Sequence, residues 1–137
     1  MKMEESIKQW AKFIKETKGY DVELIECFTD MDHIQKFRPG KWHIYSFWLN
    51  ENDLALKIGV AGPNSSARFS SQHYNENSAN SNLAKSLLNS GMCQNDAKLW
   101  IKNNTYRINV VFNNFSKPLA YALESHLHLL YEPYFEK

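Results

Sequence analysis

The sequence predicts an α/β (α+β) domain built on a small three-stranded antiparallel sheet flanked by helices. Two observations predict the sheet: period-two alternation across a polar turn between residues 42 and 60, and again between 106 and 112. A third predicts the flanking layers, because apolar residues at helical spacing occupy both ends of the chain.

The hairpin is the clearest element. Trp42, Ile44, Ser46 and Trp48 alternate with His43, Tyr45, Phe47 and Leu49. Leu54, Leu56, Ile58 and Val60 alternate with Ala55, Lys57 and Gly59. Asn50-Glu51-Asn52-Asp53 supplies the turn between them. If Tyr45 and Lys57 face each other across it, a cation beside a phenol favours the phenolate; that needs a loop of three or five residues. The alternative is an amphipathic strand pair with one solvated lysine.

Before the hairpin, Ile7, Trp10, Ala11 and Ile14 fall on one helical stripe within residues 4–17, and Gly19 is the stop. Val22, Leu24, Ile25, Cys27 and Phe28 form a short buried run, and Thr29 or Asp30 is placed to cap a further helical turn through Phe37. Arg38-Pro39-Gly40 breaks the pattern. Residues 1–38 therefore read as an N-terminal helical extension packed on a domain at 39–137.

After the hairpin, Gly62-Pro63-Asn64-Ser65-Ser66 ends in N-cap candidates, which puts Arg68 in the first turn of a helix. A cation there opposes the helix dipole, the kind of local violation that marks functional positions. Residues 72–82 are almost wholly polar and read as a solvated loop. Leu83, Leu87 and Leu88 mark a short helix ending at Gly91, and Tyr106, Ile108, Val110 and Phe112 form the third strand. Ser116-Lys117-Pro118 starts the last helix. In it Glu124 shares an arc with Ala120, Leu127 and Tyr131, so a carboxylate intrudes on the apolar side and needs a partner or a metal. His128, four residues on, is spaced to interact with it.

Composition bounds the rest. The chain has 137 residues, enough for one domain, and a formal net charge of +1. That charge is uneven: residues 1–34 carry five Lys/Arg against eight Asp/Glu, and residues 35–137 carry eleven against seven. The larger part thus permits a polyanionic partner without demanding one. Cys27 and Cys93 show no CxxC spacing, and neither a secretory segment nor a membrane span is read, so a cytoplasmic protein with reduced thiols is expected.

Taken in order, Tyr45, Lys57-Ile58-Gly59, Arg68 and Glu124 resemble the GIY-YIG nuclease family. His43-Ile44-Tyr45 stands at the GIY strand and Lys57-Ile58-Gly59 at the YIG strand. Arg68 matches the catalytic arginine and Glu124 the metal-binding glutamate, and the likeness extends over residues 41–137. His43 departs from the first glycine, Lys57 from the second tyrosine and Glu136 from a terminal asparagine. An aromatic or histidine usually follows the arginine by four residues; Gln72 stands there, and His73 follows it.

The resemblance implies a divalent-metal-dependent endonuclease that hydrolyses DNA phosphodiester bonds, on double-stranded substrate. By it, Tyr45 accepts the water proton with Lys57 lowering its pKa, and Arg68 neutralises the phosphate with its planar fork. Glu124 holds Mg²⁺, or Mn²⁺, an ion that keeps water and phosphate oxygens among its ligands. His73 is carried over as a further site residue. Specificity would come from a homodimer, a targeting partner or the polar loop. The alternatives are a catalytically inactive nucleic-acid-binding module of the same fold and a protein-interaction domain.

Overall fold

The computed structural model describes residues 2–78 and 82–136. The 79–81 part of the stretch read as a solvated loop lies outside the described residues. In order, the elements are α1 (Lys2–Lys18), β1 (Glu23–Asp30), β2 (Trp42–Leu49), β3 (Ala55–Ala61), α2 (Ser66–Phe69), a 3₁₀ turn (Gln72–Tyr74), α3 (Leu83–Ser90), α4 (Ala97–Asn104), β4 (Thr105–Asn113) and α5 (Lys117–Tyr131).

The sheet has four strands, not three, in the order β1-β4-β2-β3, and every pairing is antiparallel. The added strand comes from the segment read as helical extension. Glu23–Asp30 form an edge strand against β4, largely half-exposed, where Glu23 and Glu26 are tolerated because solvent reaches them. The helical turn expected through Phe37 does not form. His33, Gln35 and Lys36 adopt positive φ, and the Asp30 carboxylate accepts from the Ile34 and Gln35 amides at 2.8 Å each. Asp30 is thus a cap, but of a loop.

The sheet separates two apolar layers. Ile44, Trp48, Ile58, Ile108, Val110 and Phe112 face α1 and α5, which contribute Met3, Ile7, Trp10, Leu123 and Leu127. On the other face Tyr45, Phe47 and Ala61 meet Phe69, Tyr74, Leu83, Leu87 and Ile101. Strand β2 lies between β4 and β3 and is covered on both faces, so its alternation separates two cores rather than core from water. One detail of the hairpin differs from simple alternation. A bulge between Phe47 and Trp48 shifts the register, and Leu56 packs on the face opposite to Ile58.

Helix ends follow the sequence signals. The Asn82, Asp96 and Ser116 side chains accept from the amides of Lys85, Leu99 and Leu119, and Gly91 closes α3 with φ 79°. Each such cap stabilises its helix by about 1 kcal/mol. Helix α2 is a single turn, too short for a macrodipole to bear on Arg68. No helix among the described residues is long and apolar enough to cross a membrane.

Candidate functional site

The register of β2 and β3 decides what Tyr45 meets. Tyr45 pairs with Gly59, and Lys57 pairs with Phe47, so the phenol and the ammonium are not opposite each other. The Tyr45 ring instead lies over Gly59, whose missing side chain makes the room: a β-carbon there would fall 2.5 Å from Cζ. Tyr45 is completely buried, and its hydroxyl has no hydrogen-bond partner among the described residues. Burial holds the phenol well above its ordinary pKa, and Arg68 is the largest influence in the other direction. The expectation that Lys57 promotes a Tyr45 phenolate is therefore corrected. The ammonium is engaged elsewhere, and desolvation of the phenolate outweighs every cation nearby.

Lys57 belongs to a clasp on the outer edge of β3. Its Nζ is 3.1 Å from Glu136 Oε2, and the side chain is buried. Glu136 Oε1 accepts from the Ile58 amide at 2.8 Å, while His128 Nε2 donates to the Ile58 carbonyl at 2.7 Å. Just before Glu136, the Tyr134 and Phe135 amides donate to the carbonyls of Ala55 and Leu56. The segment 134–136 therefore runs along β3 and satisfies an edge that would otherwise be open. Glu136 stands where the resemblance expects asparagine, and the longer carboxylate neutralises the buried lysine.

Around this edge the charged residues converge from both layers. Glu124, on α5, is half-buried; burial pushes its carboxyl up, His128 draws it down most, Glu136 raises it, and Arg68 and Lys57 lower it. Arg68, on α2, in turn acts on Tyr45 and on His73. Glu124 and Arg68 are thus within electrostatic reach of each other, although their elements pack on opposite faces of the sheet.

His73 is a second departure from the solvated-loop reading. It sits in the 3₁₀ turn with no exposed surface, its ring 4.7 Å from the Tyr45 ring. Its Nδ1 accepts from the Leu83 amide at 3.3 Å, so the neutral ring carries its proton on Nε2, which has no partner. Burial, with Arg68 and Lys57 adding to it, lowers its pKa to about 2. His73 is thus a neutral donor. Gln72 Oε1 and Asn109 Nδ2 are also buried without a partner. Since Gln72 precedes His73 and Asn109 pairs with Tyr45, the four orphaned groups fall in one neighbourhood. Such groups are uncommon in native interiors and mark functional places.

One residue of this neighbourhood went unread. Arg107 is fully buried between the rings of Phe47 and Phe69, at 4.7 and 4.8 Å. It donates to Asn109 Oδ1 at 3.2 Å, to the Tyr74 hydroxyl at 3.2 Å and to the Phe69 carbonyl at 2.6 Å. The last bond anchors the single turn that carries Arg68. Tyr74 passes the network on to His33 Nδ1 at 2.7 Å, whose Nε2 donates to the Thr105 carbonyl at 2.8 Å. The signal for it in the sequence is the high aromatic content, 14% of the chain, part of which cages this cation.

Among the described residues there is no group of three His, Cys, Asp or Glu side chains that could hold a metal ion. A lone half-buried carboxylate at Glu124 fits a hard divalent ion that keeps several water or phosphate ligands. Two larger hollows lie elsewhere, one of about 700 Å³ beside Ile14, Tyr20 and Phe115, the other of about 510 Å³ beside Tyr74, Asp96 and Lys102. The chain matches no family model, no curated protein and no solved structure.

Proposed function

We propose that the chain is a divalent-metal-dependent endonuclease acting on DNA, of the GIY-YIG type. The observation that carries this reading is that Arg68 acts electrostatically on both Tyr45 and Glu124, groups held on three separate elements. The order of elements supports it too: two hairpin strands, a turn with the arginine, a returning strand and a helix with the glutamate. The mildly basic balance of residues 35–137 suits a phosphate backbone.

The chemistry differs from the expected form in the role of Tyr45. Arg68 binds and neutralises the phosphate. Tyr45 keeps its proton and lies beneath the surface, so it is not the base that takes a proton from water. Glu124 holds the ion, which when bound supplies charge neutralisation and a more acidic water. Lys57 and Glu136 set the shape of the edge rather than act on substrate.

A second reading has an observation of its own. The complete burial of Tyr45 and His73 favours a nucleic-acid-binding module that has lost catalysis. Incubation of supercoiled plasmid with Mg²⁺ or Mn²⁺ separates the two. Metal-dependent nicking, lost in Glu124→Ala and Arg68→Ala, is the expected result. Salt-sensitive DNA binding without nicking would instead select the silent binder.

A further inference from the structure

His128 lies one turn after Glu124 on α5, and this spacing stacks the two side chains on one face of the helix. Both are half-buried at the β3 edge. The 2.7 Å contact from His128 Nε2 to the Ile58 carbonyl fixes the tautomer. A carbonyl oxygen only accepts, so Nε2 carries the proton and Nδ1 of the neutral ring is bare. Metal-binding histidines are held in this way, with one nitrogen donating to a backbone carbonyl and the other open to the ion.

Glu124 is the complementary half. Its carboxylate is half-buried on α5, a place that costs a charged group free energy unless a cation is near. Glu136 also approaches His128, at 3.6 Å, but its oxygens already accept from Lys57 and from the Ile58 amide. The charged groups facing the pair are then Glu136 and Lys57, which offset each other, and Arg68 across the edge.

We infer that Glu124 and His128 form a two-residue metal site on α5 that takes a borderline divalent ion, Co²⁺ or Zn²⁺, in preference to Mg²⁺. The inference rests on the nuclease reading in taking Glu124 as a ligand, and it adds the second ligand and the metal preference. An imidazole nitrogen suits borderline ions, whereas Mg²⁺ takes oxygen ligands and gains little from it. The remaining positions stay open for water and phosphate oxygens.

The test is titration of the full chain with Co²⁺, read by visible absorption and calorimetry, with Mg²⁺ titrated in parallel. His128→Gln keeps an N–H for the Ile58 carbonyl, and its thermal unfolding confirms that the fold is retained. One Co²⁺ per chain is expected, bound about 10- to 100-fold more weakly in His128→Gln and in Glu124→Gln. Mg²⁺ binding should weaken in Glu124→Gln alone. Undiminished Co²⁺ binding by His128→Gln, or an intact chain that prefers Mg²⁺, overturns the site; metal-dependent nicking would then leave the nuclease reading standing. Co²⁺ binding that needs both residues, in a chain that nicks no plasmid, supports the site and overturns the nuclease instead.

Discussion

Gly59 lies so close under the Tyr45 ring that a β-carbon at position 59 would fall 2.4 Å from the phenol oxygen. Gly59→Ala should therefore destabilise the fold by about 1–3 kcal/mol through overpacking. Urea denaturation measures the loss. In a Tyr45→Ala background the same change should cost much less, because the ring it strikes is gone. An unperturbed Gly59→Ala would place the ring elsewhere.

The orphaned hydroxyl of Tyr45 gives the opposite sign. Tyr45→Phe removes a buried polar group that has no partner, so stability should rise by roughly 1 kcal/mol. Because the hydroxyl is not the base for water, the same variant should cut plasmid at the rate of the intact chain. A more stable protein with weaker cleavage would mark a functional group rather than a structural one.

Arg107 should be among the least replaceable residues. Arg107→Met removes three donated hydrogen bonds and leaves the Phe69 carbonyl and the Tyr74 hydroxyl without this donor. The expected cost is about 2–4 kcal/mol, read by chemical denaturation. Cleavage by the folded fraction should also fall, because the turn carrying Arg68 loses its anchor. Stability equal to that of the intact chain would remove Arg107 from this role.

Glu136→Ala strands the buried Lys57 ammonium and leaves the Ile58 amide without its acceptor. Breaking one side of a buried pair costs about 3–5 kcal/mol, and the partial exposure of Glu136 puts the expectation at the lower end. Lys57→Met with Glu136→Gln should recover most of it, since no charge is then buried and an amide oxygen still faces Ile58. Denaturation of the single and double variants gives the coupling directly.

Acid should weaken the fold earlier than carboxylate titration alone would. His43 is lowered to about 4 and His73 to about 2, both mainly by burial. In each case the unfolded chain binds the proton more tightly, so stability is intact above about pH 6.5 and is lost as pH falls below it. For His43 the loss runs from about pH 6.5 to about pH 4, at roughly 1.4 kcal/mol per pH unit, with His73 adding a similar slope. Glu124, raised by burial, works in the opposite sense within its own titration range. Urea midpoints at about pH 7, 6 and 5 check the slope, and His43→Gln should flatten it.

Elements whose residues alternate or repeat cleanly could be read ahead of the structure. The β2–β3 hairpin, β4, α1, α3 and α5 each combine a strong period with a recognisable start or stop, such as Ser116-Lys117-Pro118 or Gly91. Strand β1 was obscured because an edge strand with solvent on it mixes Glu23 and Glu26 into its apolar run. Helix α4 bunches its large apolar residues, Leu99, Trp100 and Ile101, in one run, so it shows no helical period. Of the candidate site, the residue types and their order along the chain are legible, because Tyr45, Arg68 and Glu124 each lie on or beside an element with a clear sequence signal. The register is not legible in that way: a bulge beside Trp48 and the tie from Glu136 to Ile58 are tertiary choices. They set Tyr45 over Gly59 and turn Lys57 toward a carboxylate. The burial of His73 depends on Leu83 and Tyr45, distant in sequence, so a run of polar letters around it concealed an interior position.

The place of β4 within the sheet carries a consequence for how the chain is made. Strands β1 and β2 are each bonded to β4, which follows them by a long interval, and only β2 and β3 can pair as neighbours. A nascent chain emerging from the ribosome can close that hairpin at once. The first strand must wait, with Leu24 and Cys27 uncovered, until residues 105–113 have been synthesised. Pairings so distant in sequence are slow to find, and the interval is when a partner chain or a chaperone would meet the exposed strand.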